Sequence, residues 1–338
     1  MYYKNKKILI IGGTGTIGKK ITTEILKQDP KVIRILSRDE YKQFVLANEF
    51  YNENRIRFLI GDVRDYNRVE RAMQDIDIVF NLAAMKHVPA CEYNPTEAIR
   101  TNIDGMQNVI NAAIKNNVDC VIFTSSDKAI NPTNSYGATK LLAEKLVQAA
   151  NYSKGKSKTK FVAVRFGNVM GSRGSVIPLF KKQIIEQKRI TVTNHNMSRF
   201  MMTLTQAANL TMQAAEDSIG GEVFVLKMPV IRLRDLAEVV TEEVCKKYNI
   251  NTGEVEIKTI GLRPGEKMFE ELMTEEESKY AYDLGNMYAV IPTTFEISKY
   301  KQFYDKYSAA KIKSYRSSDQ NVINKESVRK LVLDEELI

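Results

Sequence analysis

Lys7-Ile8-Leu9-Ile10-Ile11-Gly12-Gly13-Thr14-Gly15-Thr16-Ile17-Gly18 decides how the rest of the chain is read. Five residues dominated by branched aliphatics predict a buried strand, and the glycines that follow at Gly-x-x-Gly-x-x-Gly spacing lead straight into a helical pattern. Glycine permits the tight turn and lets backbone approach a pyrophosphate, whose charge sits on the open N–H groups at the helix N-terminus. Gly12, Thr14, Gly15, Thr16, Ile17 and Gly18 are therefore candidate cofactor contacts. A glycine turn alone is a weak signal; the strand before it and the helix after it give it weight.

Outward from this stretch, short apolar runs recur at Val32 to Leu36, Ile56 to Ile60, Ile76 to Phe80, Val118 to Phe123 and Phe161 to Val164. Helical spacing fills the intervals at Lys19 to Lys27, Arg68 to Met73, Ala98 to Lys115 and Thr139 to Ala150. Such alternation predicts an α/β fold with a Rossmann-type, doubly wound parallel sheet. After about Gly167 the pattern loosens into a glycine-rich loop, a lysine-bearing helix, a strand at Val223 to Leu226 and a helix from Leu233 to Tyr248. We expect residues 1–167 to form the nucleotide-binding domain with the catalytic groups, and 168–338 a smaller, mainly substrate-binding α/β region folded onto it.

The 338 residues are 43% hydrophobic and 27% charged, enough for a substantial core. No apolar run reaches the roughly 18 residues of a membrane span, and the polar start from Met1 to Lys7 is unlike a signal peptide, so a cytoplasmic protein is expected. Three cysteines (Cys91, Cys120, Cys245) and two histidines lack metal-ligand spacing, so no metal is expected. The net charge of +9 is dispersed, with no nucleic-acid motif; it suits a polyanionic small ligand or plain solvated surface.

About twenty residues past the glycine loop, where NAD-binding proteins usually place an acid on the ribose, the chain reads Ser37-Arg38-Asp39-Glu40. A guanidinium and a hydroxyl suit a 2′-phosphate and favour NADP, with Lys42 nearby. Asp39 has a second reading, as the cap of the following helix. Asp62 and Val63, ending the third strand, are candidates for the adenine, and Leu82 and Lys86 follow the fourth.

Tyr136 and Lys140 form a Tyr-x-x-x-Lys pair, one helical turn apart on one face. A phenol near pKa 10 is a poor base at neutral pH, but a neighbouring ammonium and an oxidised nicotinamide both favour its phenolate. Ser126, Asp127 and Lys128 end the fifth strand, where open parallel sheets place their ligands. These five are the candidate catalytic residues.

With these motifs the chain resembles the extended short-chain dehydrogenase/reductases, and more narrowly the inverting UDP-N-acetylglucosamine 4,6-dehydratases of pseudaminic acid and capsular sugar synthesis. The resemblance covers nearly the whole chain. It rests on Gly12 to Gly18, Ala83 to Pro89 with Glu92 to Pro95, Ser126 to Ala129, Tyr136 to Lys140, Gly167 to Val169, Ser172 to Pro178, Ser198 to Phe200 and Leu262 to Lys267. Retaining relatives carry glutamate where Lys128 stands, and some capsular relatives, including proteins described as 4-epimerases, lack the tyrosine at Tyr136. The chain departs from its relatives at Leu82, often alanine, and at Arg316, where tyrosine is commoner.

The resemblance implies a UDP-N-acetylhexosamine substrate lined by Lys86, Asn168, Arg173, Gly174, Ser175, Val176, Arg199 and Arg263, with Glu266 ordering the site. It implies oxidation at carbon 4 by Tyr136 and Lys140, an acid at Asp127, a base at Lys128 and a hydroxyl contact from Ser126; a homo-oligomer is expected. To serve as base, Lys128 is expected to have a depressed pKa. Two rivals are a UDP-hexose 4-epimerase, which has no use for the Asp127–Lys128 pair, and a non-catalytic NADP sensor, which has none for Tyr136 and Lys140.

Overall fold

The computed structural model describes residues 1–172, 174–262, 266–293 and 297–338. Seven parallel strands form its centre: β1 (Lys7–Ile11), β2 (Val32–Ser37), β3 (Ile56–Ile60), β4 (Ile78–Asn81), β5 (Cys120–Thr124), β6 (Lys160–Arg165) and β7 (Val223–Leu226). Their order is β3-β2-β1-β4-β5-β6-β7. Every residue of β4, β5 and β7 is buried, which is why these runs lack hydrophobic alternation: both faces are covered. Strand order reverses between β1 and β4, and a crevice opens beyond the carboxyl ends there.

Helix α1 (Thr16–Leu26) begins at the glycine turn, and α2 (Glu40–Glu49) is capped by Asp39, whose carboxylate accepts from the Lys42 backbone N–H at 2.9 Å. The helix expected from Ala98 to Lys115 is not continuous. It consists of α3 (Pro95–Ile99), a π-helical stretch Arg100–Asp104, and α4 (Gly105–Lys115). The irregular stretch places Asn102 indoors. Its amide clasps Met85 through N–H and carbonyl, at 2.8 and 3.0 Å, and donates to Thr139 Oγ1 at 2.9 Å. Thr139 lies on α5 (Ser135–Ser153), so the bulge ties the loop after β4 to the Tyr136 helix.

The second half of the chain builds in two directions. Strands β8 (Ala281–Asp283), β9 (Met287–Val290) and β10 (Ser308–Ala309) extend the first sheet antiparallel beyond β7. Elsewhere α6 (Val176–Gln187), α7 (Leu233–Tyr248) and α8 (Lys325–Asp334) enclose a second apolar cluster that includes Phe180, Ile184, Leu236, Val240 and Val332. The chain beyond residue 168 thus completes the first sheet as well as building a cap.

Asn102 is 2% exposed, and Asn102→Ala removes the partner of the half-buried Met85 N–H and carbonyl. The expected cost is about 1–3 kcal/mol in urea denaturation; a change below about 0.5 kcal/mol would mean that the clasp contributes nothing.

Candidate active site

Two adjoining cavities occupy the crevice, of about 500 and 340 Å³. Gly12, Thr14 to Gly18, Ser37 to Asp39, Lys42, Asp62, Val63, Leu82 and Lys86 line the larger. Ser126, Asp127, Lys128, Tyr136, Lys140, Asn168, Gly174 and Ser175 line the smaller, and Lys86 faces both. Val176, at the start of α6, lines neither. Arg173 and Arg263 lie outside the described residues.

The larger cavity is shaped for a dinucleotide. Gly12 has φ +78°, and a Cβ there would stand 2.9 Å from the Ala83 backbone nitrogen, so only glycine allows the two loops to meet. Gly15 caps α1 without any side-chain hydrogen bond, leaving the first helical N–H groups to a ligand. At the far end Asp39 caps α2 and pairs with Lys42 Nζ at 2.7 Å. Arg38 stays half exposed, 3.7 Å from Asp62, while the Ser37 hydroxyl accepts from Gln43 at 3.0 Å. The Asp39 carboxylate in this lining is thus engaged by the helix N-terminus and by the Lys42 ammonium.

The smaller cavity holds the catalytic candidates. Asn134 caps α5 by accepting from the Gly137 N–H at 2.9 Å and so fixes the first turn, which carries Tyr136. The 126–130 turn lies on that helical turn: a Cβ on Gly137 would come within 2.1 Å of the Lys128 carbonyl oxygen. Lys140 is buried and donates to the Thr124 carbonyl at 2.8 Å; desolvation lowers its pKa to about 8, with Glu144 opposing. Burial raises Tyr136, while its hydrogen bond with Ser126 and the charge of Lys128 oppose that rise. Asp127 accepts from the Ser126 hydroxyl at 2.8 Å and from Lys128 Nζ at 2.9 and 3.1 Å.

One expectation about charge needs correction. Lys128 was expected to have a depressed pKa; burial does lower it, but Asp127 and Glu270 outweigh that and hold the ammonium charged. Arg199, expected at the ligand, and Glu266, expected to order the site, stand outside the lining of both cavities. Arg199 donates to the carbonyls of Ser198, Lys267 and Met268 at 2.9–3.2 Å and pairs with Glu266 at 3.5 Å, bracing one segment against another.

Two buried groups went unseen in the sequence. Asn102 had no signal beyond its place in a helical pattern. Glu270 is pushed up to about 7 by burial and by Asp127, with Lys128 and Arg199 opposing, and it accepts from Asn168 and from the Phe200 N–H. Among the described residues no cluster of three or more metal-ligating side chains occurs, and no helix is long and apolar enough to cross a membrane.

Residues 8–292 match the family described as polysaccharide biosynthesis protein. The solved structure of Pen from Bacillus thuringiensis superposes with TM-score 0.93 at 56% identity, covering 100% of both chains. A Campylobacter jejuni protein named UDP-N-acetylglucosamine 4,6-dehydratase (inverting) is 44% identical over 89% of this chain and 87% of its own. A Rickettsia bellii protein named UDP-glucose 4-epimerase is 41% identical over 98% of this chain and 96% of its own.

Gly137→Ala forces the Lys128 carbonyl away and is expected to cost about 1–3 kcal/mol in chemical denaturation. Gly253→Ala, whose nearest neighbour is at 3.4 Å, is expected to be near neutral. Equal stability of the two variants would show that the turn tolerates displacement.

Proposed function

Because the chain belongs to the polysaccharide biosynthesis protein family, within the extended short-chain dehydrogenase/reductases, we propose that it is an inverting UDP-N-acetylglucosamine 4,6-dehydratase using NADP. One observation carries this reading: Asp127 and Lys128 are hydrogen-bonded to each other in the same small cavity as Tyr136 and Lys140. A 4-epimerase, the name of the Rickettsia relative, needs only the second pair.

Ser175 supports an anionic sugar nucleotide. Its buried Oγ has no partner among the described residues, and it begins α6 without forming a capping bond. A buried hydroxyl is costly to leave unpaired, and beside a helix N-terminus a diphosphate oxygen fits it. Lys86, which lines both cavities, brings a cation to the same region. Bound NADP supplies the acceptor for the carbon 4 hydride and its later return to carbon 6, so turnover is redox-neutral.

Tyr136 takes the carbon 4 hydroxyl proton, with Lys140 and the nicotinamide charge favouring its phenolate, and Ser126 hydrogen-bonds the carbon 4 oxygen. The resulting ketone acidifies carbon 5. Passing one proton from Lys128 to Asp127 along their 2.9 Å hydrogen bond turns an ion pair into a neutral amine and a carboxylic acid. Lys128 then removes the carbon 5 proton, and Asp127 protonates the carbon 6 hydroxyl as it leaves as water. A proton returned to the opposite face of carbon 5 gives the inverted sugar.

Incubation with UDP-N-acetylglucosamine in deuterated water should give a product lighter by one water, carrying deuterium at carbon 5 in the L-configuration. An isomer of unchanged mass would instead indicate epimerisation, and NADP binding without turnover of any UDP-sugar a sensor. Tyr136→Phe should bind substrate and slow turnover severely. In competitive titration NADP should bind more tightly than NAD, with Arg38→Ala narrowing the gap; equal affinity in the unmodified protein overturns the NADP assignment.

A further inference from the structure

Gly171 and Gly174 lie in the turn that joins the Asn168–Val169 strand to α6, and each is pressed by one side chain from a distant part of the chain. A Cβ on Gly174, at φ +75°, would stand 2.7 Å from His87 Cε1, and one on Gly171, at φ +69°, would run into Leu337 Cδ2. Ser172, between them, lines both cavities, and Gly174 and Ser175 line the smaller. The turn is thus held at two points, by His87, which lines both cavities, and by Leu337, which lines neither.

Leu337 is itself firmly placed. After α8 the backbone turns left-handed at Glu336 (φ +52°), whose N–H donates to the Leu333 carbonyl at 3.0 Å, while the Leu337 N–H reaches the Val332 carbonyl at 3.3 Å. This pair of bonds is a Schellman ending, in which the second residue past the cap is often apolar and packs back on its own helix. Helix α8 is mounted on α7 by Lys325 with Glu238 and Glu242, each at 2.8 Å, and by Arg329 with Glu242 at 2.7 Å; its Val328 and Val332 are buried in the second apolar cluster. Sealing a helix end requires a neighbour on that helix, not a glycine on another segment. Yet the three atoms nearest to a Cβ on Gly171 all belong to Leu337.

Two backbone bonds brace the turn from within: the Ser172 N–H reaches the Val169 carbonyl at 3.4 Å, and the Ser175 N–H reaches the Ser172 carbonyl at 2.9 Å. We propose that Leu337 is a positioning residue for the sugar nucleotide. Filling the space over Gly171, it sets the height of the 172–175 turn, and so the place where the Ser175 hydroxyl and the α6 N-terminus meet the diphosphate. It acts through the turn, since it lines neither cavity. A shorter side chain would leave Gly171 without these contacts and let the turn sink. The proposal rests on the UDP-sugar reading of this site.

Leu337→Ala and Leu337→Met test this by titration with UDP and with uridine, which lacks the phosphates. The alanine variant should bind UDP about tenfold more weakly, with KM for UDP-N-acetylglucosamine rising by a similar factor while kcat and uridine binding stay within about twofold of the parent. Methionine, of nearly the same volume, should restore UDP affinity. Gly171→Ala should also weaken UDP binding, and by less in the Leu337→Ala background; the strain of a left-handed alanine is common to both backgrounds and cancels in the cycle. Unchanged UDP affinity in Leu337→Ala, equal losses for UDP and uridine, or strictly additive effects in the cycle would make Leu337 a plain helix-end residue. A parent protein that binds no UDP would sink the UDP-sugar reading and the proposal with it, a failure distinct from any shown by the variants.

Discussion

The active site depends on how closely one backbone turn approaches one helix. The Lys128 carbonyl stands where a side chain at residue 137 would begin, so the 126–130 turn sits directly on the first turn of α5. That contact brings Ser126, Asp127 and Lys128 beside Tyr136, all within the one strand–turn–helix unit that runs from β5 to α5. Lys140 closes the seat from below by spending a hydrogen bond on the Thr124 carbonyl at the end of β5. A buried ammonium held this way is costly, and desolvation lowers its pKa.

Beneath this seat runs a buried ionic chain. Arg165, 1% exposed on β6, pairs with Glu144 on α5 at 2.6 Å and with Glu277 at 3.0 Å, and donates to the Leu272 carbonyl. Ser125 donates to Glu144 at 2.6 Å. Replacing such a chain with apolar groups need not destabilise a protein, but removing one member strands the others, so its geometry fixes how the parts sit. It joins the catalytic helix, the central sheet and the segment following Glu270. The catalytic helix, the turn that begins at Ser125 and the segment from Leu272 to Glu277 are thereby held in one register.

Much of this was legible in the sequence because local chemistry decided it. The glycine turn, the strand–helix alternation and the Tyr136–Lys140 spacing each encode a short-range geometry, and each appears where the sequence put it. Asp39 caps α2, a role its position before that helix already allowed, and it lines the larger cavity as well. What escaped depended on contacts far apart in the chain. The π-helical stretch at Arg100–Asp104 has helical composition and departs from an α-helix where Asn102 clasps Met85. Lys128 was expected to lose its proton through burial, but Asp127 next to it and Glu270, 142 positions later, reverse the sign. Arg199 was expected at the ligand through the family resemblance; the three carbonyls it donates to come from residues 198, 267 and 268, a pairing no local pattern announces.

The central claim is that hydride leaves carbon 4 and returns to carbon 6 of the same sugar while Lys128 and Asp127 remove water between those events. Turnover of UDP-N-acetylglucosamine carrying deuterium at carbon 4, read by NMR of the isolated product, tests it most directly. The account predicts that the label moves to the new carbon 6 methyl group within one molecule. Deuterium found still on carbon 4 of a product with its carbon 6 hydroxyl intact would contradict it and make the chain an epimerase.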